Sequence, residues 1–362
     1  MKIIFIITSL GMGGAENVLS NLSDGLIKHG CEVKIICLKG KVIVKPNSDK
    51  VEIISFNLNN LKSLKSIIKE IKKIIKEFKP SIVHAHMFHA IILARLLRIF
   101  IKFPKLISTA HSKSFGNSIR AFLYRITDKF SDINTNVSFE ATEYFIENNI
   151  FKQNNSLTIT NGIDTQKYFP DVVKRNLLRE RFKFSSKDHV FIAVGRFNEA
   201  KDYPNLLQSF SLLLNNFHSD SKLIIVGDGE LRSLVEELIV DYKLEEYVTL
   251  LGLRSDVNDL LNMADTFVLS SAWEGFGLVI AEAMATEKIV ISTDCGGVKE
   301  VLGDERFLVP PKNSELLAKK MFDSINLDAQ ERINVGIENR KRILDKYSLD
   351  AMVAKWLKIY TG

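Results

Sequence analysis

Short strand-like runs alternate with longer helical segments along almost the whole chain, and this alternation constrains the fold more than any other feature. Runs of this kind are "KIIFIIT", "EVKIICL", "SIVHAH", "KLISTAH" and "DINTNVS" in the first half, and "HVFIAVGRF", "KLIIVGDG", "YVTLLGL", "TFVLSS", "KIVISTD" and "RFLVPP" in the second. Alternating strands and helices are typical of βαβ units, which build parallel sheets covered by helices. The sequence therefore predicts an α/β architecture.

A polar, turn-rich segment interrupts this alternation near the middle of the chain. "NIFKQNNSLTITNGIDTQKYFPD" contains an Asn-Gly pair and a proline, which favour turns, and strand-like runs resume after it. Because 362 residues exceed what one ordinary core holds, we predict two doubly wound, Rossmann-like domains. The N-terminal domain is expected over 1–165, the C-terminal domain over 166–345, and a helix over 346–362 that crosses back to the first domain.

The loops that follow the strands are the expected ligand sites, because open parallel sheets bind ligands beyond the carboxyl ends of their strands. Two such domains are expected to face each other across a cleft. After the first strand, Gly13 and Gly14 in "TSLGMGGAENVL" would allow close approach of the backbone and expose a helix N-terminus to phosphate. Glu16 stands where a dinucleotide fingerprint needs its third glycine. A tight turn without a ligand explains these residues equally well.

Cationic side chains follow two strands of the second half. In "AVGRFNEAKDYPNLL" the loop after Gly195 carries Arg196 and Lys201, whose charges could neutralise a diphosphate. Arg254, in "LLGLRSDV", belongs to a loop that could frame a nucleobase. Solvated loops without a ligand are the alternative for both stretches.

Histidines follow or line strands of the first half. His111, in "STAHSKSFG", comes just after a strand, which suits a substrate-facing side chain; a histidine satisfied within its loop is the alternative. His84 and His86 share one face of a strand, but no carboxylate or cysteine joins them, so a metal site is the weaker interpretation. The chain also has no two aspartates at positions i and i+2, the usual ligand pair for a metal that bridges a diphosphate.

Two glutamates stand eight residues apart in "SAWEGFGLVIAEAMA". The Gly-Phe-Gly sequence at 275–277 indicates a turn, so Glu274 precedes a helix whose free N–H groups begin near Leu278. Glu282 lies inside that apolar helix, where an ionised carboxylate needs donors such as sugar hydroxyls. An edge glutamate paired with a lysine is the alternative.

The charge of the chain is uneven. Residues 1–170 carry 24 lysines and arginines against 13 aspartates and glutamates, whereas residues 171–362 carry 25 against 30. The segment "LKSLKSIIKEIKKIIKEFK" predicts an amphipathic, lysine-rich helix that could lie on anionic lipid, or an ordinary solvated helix. The run "AIILARLLRIFIKF" is too short and too charged to span a bilayer. The basic segment lacks interleaved aromatic residues, which argues against a nucleic-acid partner.

The cysteines and the N-terminus bear on the compartment. The three cysteines are scattered and form no metal-type pair, as in reduced, cytoplasmic chains. "MKIIFIITS" is interpreted as a first strand rather than a signal peptide. The expected location is the cytoplasm.

Together these motifs resemble the retaining glycosyltransferases of family 4, which have the GT-B fold. The resemblance covers essentially the whole chain. It is carried by Gly-Gly-Ala-Glu after the first strand, His111, Asn161-Gly162-Ile163-Asp164, Gly195-Arg196 with Lys201, Gly227-Asp228-Gly229, and Glu274 and Glu282 around Gly-Phe-Gly.

The resemblance implies a role for the matching residues. Glu282 would bind the ribose hydroxyls of a nucleotide-sugar donor, and Glu274 and His111 would face the donor sugar. The catalytic set would be Glu274, His111, Arg196 and Lys201. The donor-binding set would be Gly13, Gly14, Gly195, Arg196, Lys201, Arg254, Glu274, Gly275, Phe276, Gly277, Leu278 and Glu282. No divalent metal and no other cofactor is expected.

The expected function is a retaining sugar transfer from a nucleotide-sugar, most often a UDP-sugar in this family, to a lipid-linked or saccharide acceptor. Synthesis of bacterial surface polysaccharide, either lipopolysaccharide or capsule, would be the setting, with the basic N-terminal domain at the inner face of the membrane. A sugar-nucleotide epimerase of the same fold and a non-catalytic sugar-nucleotide-binding protein are the alternatives.

Overall fold

The computed structural model describes residues 1–11, 13–58, 61–217 and 220–362, and the side chains of Leu61 and Lys62 lie outside this description. The chain divides into two compact units. The N-terminal unit comprises Met1–Gly162 together with Leu349–Gly362, and the C-terminal unit comprises Ile163–Ser348. These borders replace the sequence-based ones after residues 165 and 345. They lie where the Ile163 N–H donates to the Tyr347 carbonyl at 2.8 Å, which ties both crossing segments to the C-terminal unit.

The N-terminal unit is built on a parallel sheet. Among its described residues the strands form one seven-stranded sheet in the order β3-β2-β1-β4-β5-β6-β7. The strands are β1 (Lys2–Ile7), β2 (Glu32–Cys37), β3 (Glu52–Ser55), β4 (Ile82–His86), β5 (Lys105–Thr109), β6 (Ile133–Asn136) and β7 (Ser156–Thr158). The helices between them are α1 (Gly14–Lys28), α2 (Leu61–Phe78), α3 (Phe88–Phe100), α4 (Ser118–Thr127) and α5 (Phe139–Glu147).

Helices α2, α3, α4 and α5 cover one face of this sheet. Each connects strands that advance in the same direction across the sheet, and right-handed crossovers then place them on the same side. Their apolar residues share one core, to which α2 contributes Ile67, Ile71 and Ile75. The apolar face of the lysine-rich helix is therefore used inside the unit.

The C-terminal unit repeats the same plan. Its described strands form a parallel sheet in the order β10-β9-β8-β11-β12-β13. The strands are β8 (Val190–Val194), β9 (Lys222–Val226), β10 (Val248–Leu250), β11 (Thr266–Leu269), β12 (Ile289–Thr293) and β13 (Leu308–Val309). The helices are α6 (Val172–Arg181), α7 (Tyr203–Phe217), α8 (Arg232–Asp241), α9 (Val257–Met263), α10 (Leu278–Ala285), α11 (Val298–Leu302), α12 (Ser314–Ile325) and α13 (Ala329–Tyr347).

The last helix, α14 (Leu349–Thr361), belongs to the N-terminal unit and packs against α1. A Cβ at Gly25 of α1 would lie 2.4 Å from Val353 of α14, so the close approach of these helices requires glycine there. Within the described ranges, no helix combines the length and apolar character needed to cross a bilayer.

Candidate active site

The loops after β8, β9, β11 and β12 meet at the carboxyl edge of the C-terminal sheet. β11 pairs with both β8 and β12, so the loops that follow these strands are neighbours. In these loops the Lys201 ammonium group forms an ion pair with the Glu274 carboxylate, and both side chains are largely buried. Ser271 donates a hydrogen bond to the same carboxylate at 2.8 Å. The structure thus brings together two residues predicted from separate motifs.

The Glu274 loop is fixed by a glycine pair that follows β12. A Cβ at Gly296 would lie 2.0 Å from the Glu274 carbonyl oxygen, and the φ of Gly296 is +59°. Both the close contact and the left-handed backbone conformation therefore disfavour any residue other than glycine there. The Gly297 N–H donates to the Gly275 carbonyl at 3.1 Å. Sequence reasoning missed Gly296, although "STDCGGVKE" places two glycines directly after a strand.

The loops after β8 and β9 are held against each other in a similar way. The φ of Gly227 is +144°, and a Cβ there would lie 1.9 Å from the Gly195 carbonyl oxygen. Gly195 itself lies against the side chain of Lys201, whose Cε would be 2.9 Å from a Cβ. The glycines predicted at this edge therefore leave room for neighbouring backbone and for Lys201.

Helix α10 begins at Leu278, as predicted, behind Gly277, whose φ of +79° reverses the chain. Its first N–H groups have no partner within the helix, which favours negative charge at this end. Phe276 is buried, with its ring centroid 5.6 Å from that of Tyr347. Phe276 therefore anchors the turn in the core and leaves the glycines beside it to shape the edge.

Glu282 lies on α10, and the residue as a whole is half-buried. The Tyr168 hydroxyl interacts with it, and Lys167 and Lys201 lie near enough to favour its charge. Burial outweighs these contacts and raises the pKa of Glu282 to about 7. The pKa of Tyr168 is also raised, first by burial and then by Glu282. The partner of Glu282 in this unit is thus a tyrosine, not the lysine that the alternative interpretation expected.

Two further residues predicted to bind the donor, Arg196 and Arg254, form ion pairs with acidic side chains other than Glu274. Arg196 is 67% exposed and forms an ion pair with Glu230 at 3.2 Å. Arg254 makes two hydrogen bonds to the Asp256 carboxylate, at 2.8 and 2.6 Å. Both pairs are solvent-accessible and of the kind that contributes little to stability, so an incoming anion can displace the carboxylates at low cost.

In the N-terminal unit three histidines, His84, His86 and His111, lie in a row in which each contacts the next; we call this row the histidine chain. His86 Nδ1 lies 2.9 Å from His111 Nε2, and the ring centroids of His84 and His86 lie 4.0 Å apart with the ring planes tilted by 36°. His84 in turn bonds the Tyr360 hydroxyl of α14 at 2.7 Å and Thr109 Oγ1 at 2.6 Å. The histidine chain runs from the interior to the carboxyl edge of this sheet.

The three histidines are held neutral by their surroundings. Burial lowers the pKa of His111 to about 4 and those of His84 and His86 well below their ordinary value. His86 Nε2 is buried and has no hydrogen-bond partner among the described residues. Among all the residues that the structure describes, no three histidines, cysteines or acidic residues are arranged to hold a metal ion.

Gly13 and Gly14 lie at the start of α1, as expected, but next to an acidic side chain. Glu16 is buried, accepts a hydrogen bond from Ser9 at 3.2 Å, and would have its Oε2 atom 2.5 Å from a Cβ at Gly13. The missing side chain of Gly13 thus makes room for Glu16. A phosphate at this helix N-terminus would meet the charge of that carboxylate.

Family models match both units. Residues 12–167 match the model described as Glycosyltransferase Family 4, and residues 174–342 match the model described as Glycosyl transferases group 1. The two matches follow the observed division of the chain.

Curated relatives resemble the chain over different lengths. N-acetyl-alpha-D-glucosaminyl L-malate synthase of Bacillus anthracis is 29% identical over 66% of this chain, which spans only 61% of that protein. UDP-Gal:alpha-D-GlcNAc-diphosphoundecaprenol alpha-1,3-galactosyltransferase of Escherichia coli is 28% identical over 96% of this chain and 94% of its own length.

A solved structure, that of Anabaena HepE in complex with UDP, superposes over the full length of both chains. The TM-score is 0.84 and the sequence identity is 20%. This likeness confirms the predicted fold class of two Rossmann-like α/β domains.

Proposed function

Because the chain carries a glycosyltransferase family 4 domain followed by a group 1 domain, we propose that it transfers a sugar from a UDP-sugar to a lipid-linked saccharide with retention of configuration. HepE was solved in complex with UDP, and the E. coli relative is named for UDP-Gal; both support the choice of nucleotide. The diphosphoundecaprenol in that relative's name supports the choice of acceptor. Surface polysaccharide synthesis, of lipopolysaccharide or capsule, is the proposed setting.

The observation that carries this proposal is the Lys201–Glu274 ion pair beside the start of α10. A cation and free N–H groups suit the diphosphate of the donor, and a carboxylate suits the hydroxyl groups of its sugar. Glu282, four residues into the same helix, suits the ribose hydroxyls as a hydrogen-bond acceptor. Tyr168 would then position the Glu282 carboxylate.

The proposed reaction exchanges one bond at C1 of the donor sugar. The C1–O bond to the diphosphate breaks, the acceptor oxygen bonds to C1 from the same face, and the acceptor proton moves to the departing phosphate oxygen. Negative charge grows on the diphosphate, where the positive charges of Lys201 and Arg196 would stabilise it with a smaller cost of reorganisation than water would pay. A covalent intermediate on Glu274 is the competing route to retention. We propose that neither route needs a divalent metal.

A thermal-shift panel of UDP, GDP and their sugar derivatives tests the donor. A ligand that binds only the folded chain raises the melting temperature by mass action, and we expect the UDP compounds to do so. Glu282→Ala should reduce this shift at a given UDP concentration, while Glu245→Ala, a change at an exposed glutamate, should retain it. Incubating a UDP-sugar without acceptor separates the epimerase alternative, because only an epimerase would accumulate the free epimer.

A further inference from the structure

Helix α3 carries an apolar stripe that faces solvent. Leu96, Ile99 and Phe100 are between 42% and 72% exposed, and the half-buried Ile92 continues the stripe one turn earlier. The opposite side of α3 already fills the core with Ile91, Ala94 and Leu97. Helix α3 is therefore apolar on both sides, which an ordinary surface helix is not.

The neighbouring helix α4 repeats this pattern. Ile119, Phe122 and Ile126, spaced at i, i+3 and i+7, are between 48% and 69% exposed, while Ala121 and Tyr124 are buried. Helices α3 and α4 pack against each other on the same face of the sheet. The exposed side chains of the two helices, Leu96, Ile99, Phe100, Ile119, Phe122 and Ile126, form what we call the apolar face.

Positive charge borders the apolar face. On α2 the side chains of Lys65, Lys69, Lys73 and Lys76 are exposed, and Lys72 Nζ lies 4.8 Å from the centroid of the Phe100 ring. Residues 79–127 contain eight lysines and arginines and no aspartate or glutamate. A surface with exposed aromatic and aliphatic side chains, cations and few acidic groups complements a bilayer of anionic lipid.

We propose that the apolar face inserts into the interfacial region of an anionic membrane while the lysines of α2 contact lipid head groups. Ile67, Ile71 and Ile75 of α2 are buried in the core and so cannot insert. The proposal rests on the proposed function only in that a lipid-linked acceptor makes membrane contact useful. Binding to vesicles is measured without donor or acceptor, so the two proposals can fail separately.

Cosedimentation with vesicles tests this surface. We expect the chain to bind vesicles of phosphatidylcholine mixed with phosphatidylglycerol more strongly than vesicles of phosphatidylcholine alone. The triple variant Ile99→Ser/Phe100→Ser/Phe122→Ser should lose at least about tenfold in vesicle affinity, since it removes exposed apolar area. The matched control Val172→Ser/Val173→Ser changes two exposed residues of the C-terminal unit and should bind like the wild type.

A second variant tests the electrostatic part. Lys65→Gln/Lys69→Gln/Lys73→Gln should weaken binding at low salt and reduce its dependence on salt, because the lysines act through screened charge. A far-ultraviolet circular dichroism spectrum and a cooperative melting transition like those of the wild type would show that each variant is folded. No binding to anionic vesicles, or equal binding by the Ile99/Phe100/Phe122 variant and the wild type, would overturn the proposal. A wild-type dimer that this variant dissociates, without vesicle binding, would assign the face to a second copy instead.

Discussion

The Lys201 ammonium group is paired with the Glu274 carboxylate, and Ser271 donates to that carboxylate as well. Each charge of the pair is therefore compensated by the other before any donor binds. A diphosphate would take over Lys201, and the hydroxyl groups of the donor sugar would take over Glu274. The donor itself would thus separate the pair and set both groups at the reacting centre.

Substitution of Glu274 should mainly lower kcat, whereas substitution of Glu282 should mainly weaken UDP binding. Glu274→Gln should lower kcat by about 10²- to 10³-fold with a smaller effect on donor binding, because the proposed role of the Glu274 carboxylate is to act on charge at the reacting sugar. Glu282→Ala should weaken UDP binding by roughly tenfold or more, the cost of losing hydrogen bonds to a charged group. Steady-state kinetics and calorimetric UDP titrations give the two quantities. Equal losses of kcat and UDP affinity in both variants would contradict these roles.

The raised pKa of Glu282 predicts a pH-dependent effect on stability. Its folded pKa of about 7 exceeds the usual value of 4.5, so the folded chain holds a proton there that the unfolded chain releases. The contribution of Glu282 to the free energy of unfolding therefore falls as the pH rises from the usual pKa of 4.5 through the folded pKa of about 7. Glu282→Gln avoids that cost and should raise the melting temperature more at pH 8 than at pH 5.

Glu245→Gln is the control for this experiment, since Glu245 is exposed. It should shift the melting temperature little and equally at both pH values. A Glu282→Gln shift that is the same at pH 5 and pH 8 would mean that Glu282 titrates normally.

The histidine chain should stay neutral while it positions His111. With the pKa of His111 near 4, its Cε1–H resonance should not titrate between about pH 5.5 and pH 8. His86→Leu removes the 2.9 Å contact to His111 and should lower kcat several-fold while the KM for the donor stays close to that of the wild type. His86→Gln, which keeps a polar group, should restore part of the loss. Titration of His111 near its ordinary pKa would contradict this account.

A buried ion pair between Arg95 and Asp128 lies inside the N-terminal unit. Arg95 is fully buried; it lies 3.4 Å from Asp128, bonds Asn134 at 2.6 Å, and burial lowers its pKa to about 10, so it remains charged at neutral pH. Arg95→Met leaves the Asp128 carboxylate without its cation and should cost about 3–5 kcal/mol of the free energy of unfolding.

The partly exposed Arg98, paired with Asp132 at 2.7 Å, provides the comparison. Arg98→Met should cost less than about 1 kcal/mol. The double variant Arg95→Met/Asp128→Asn should recover part of the loss, because it removes the unpaired charge. Urea denaturation followed by circular dichroism measures all three variants. Equal losses from Arg95→Met and Arg98→Met would contradict the buried pair.

The sequence indicated the buried strands because their β-branched runs are long, but it missed two strands at the edges of the N-terminal sheet. β3 is half-exposed, and β7 has only three residues inside a polar segment. Edge strands bury little, so periodicity carries little signal there. The lysine-rich helix was recognised as amphipathic, yet its pattern alone could not tell a membrane from the core that Ile71 fills.

The candidate site could be predicted in part. Glu274, Lys201 and Leu278 follow strands or begin a helix, so local rules indicated their position at the sheet edge. Tyr168 stands more than one hundred residues before Glu282, and only the folded unit brings them together. Gly296 was missed for the same reason, since the atom that excludes a side chain there belongs to Glu274.

Transfer of labelled sugar into lipid tests the central claim most directly. The chain would be incubated with labelled UDP-sugars and a polyprenyl-diphosphate-linked saccharide, and the lipid fraction would be analysed by chromatography and by NMR of the new anomeric centre. We predict label in the lipid fraction only when both substrates are present, an anomeric configuration that matches the donor, and about 10²-fold or greater loss in Glu274→Gln. An inverted anomeric centre, or unchanged transfer in Glu274→Gln, would contradict the account.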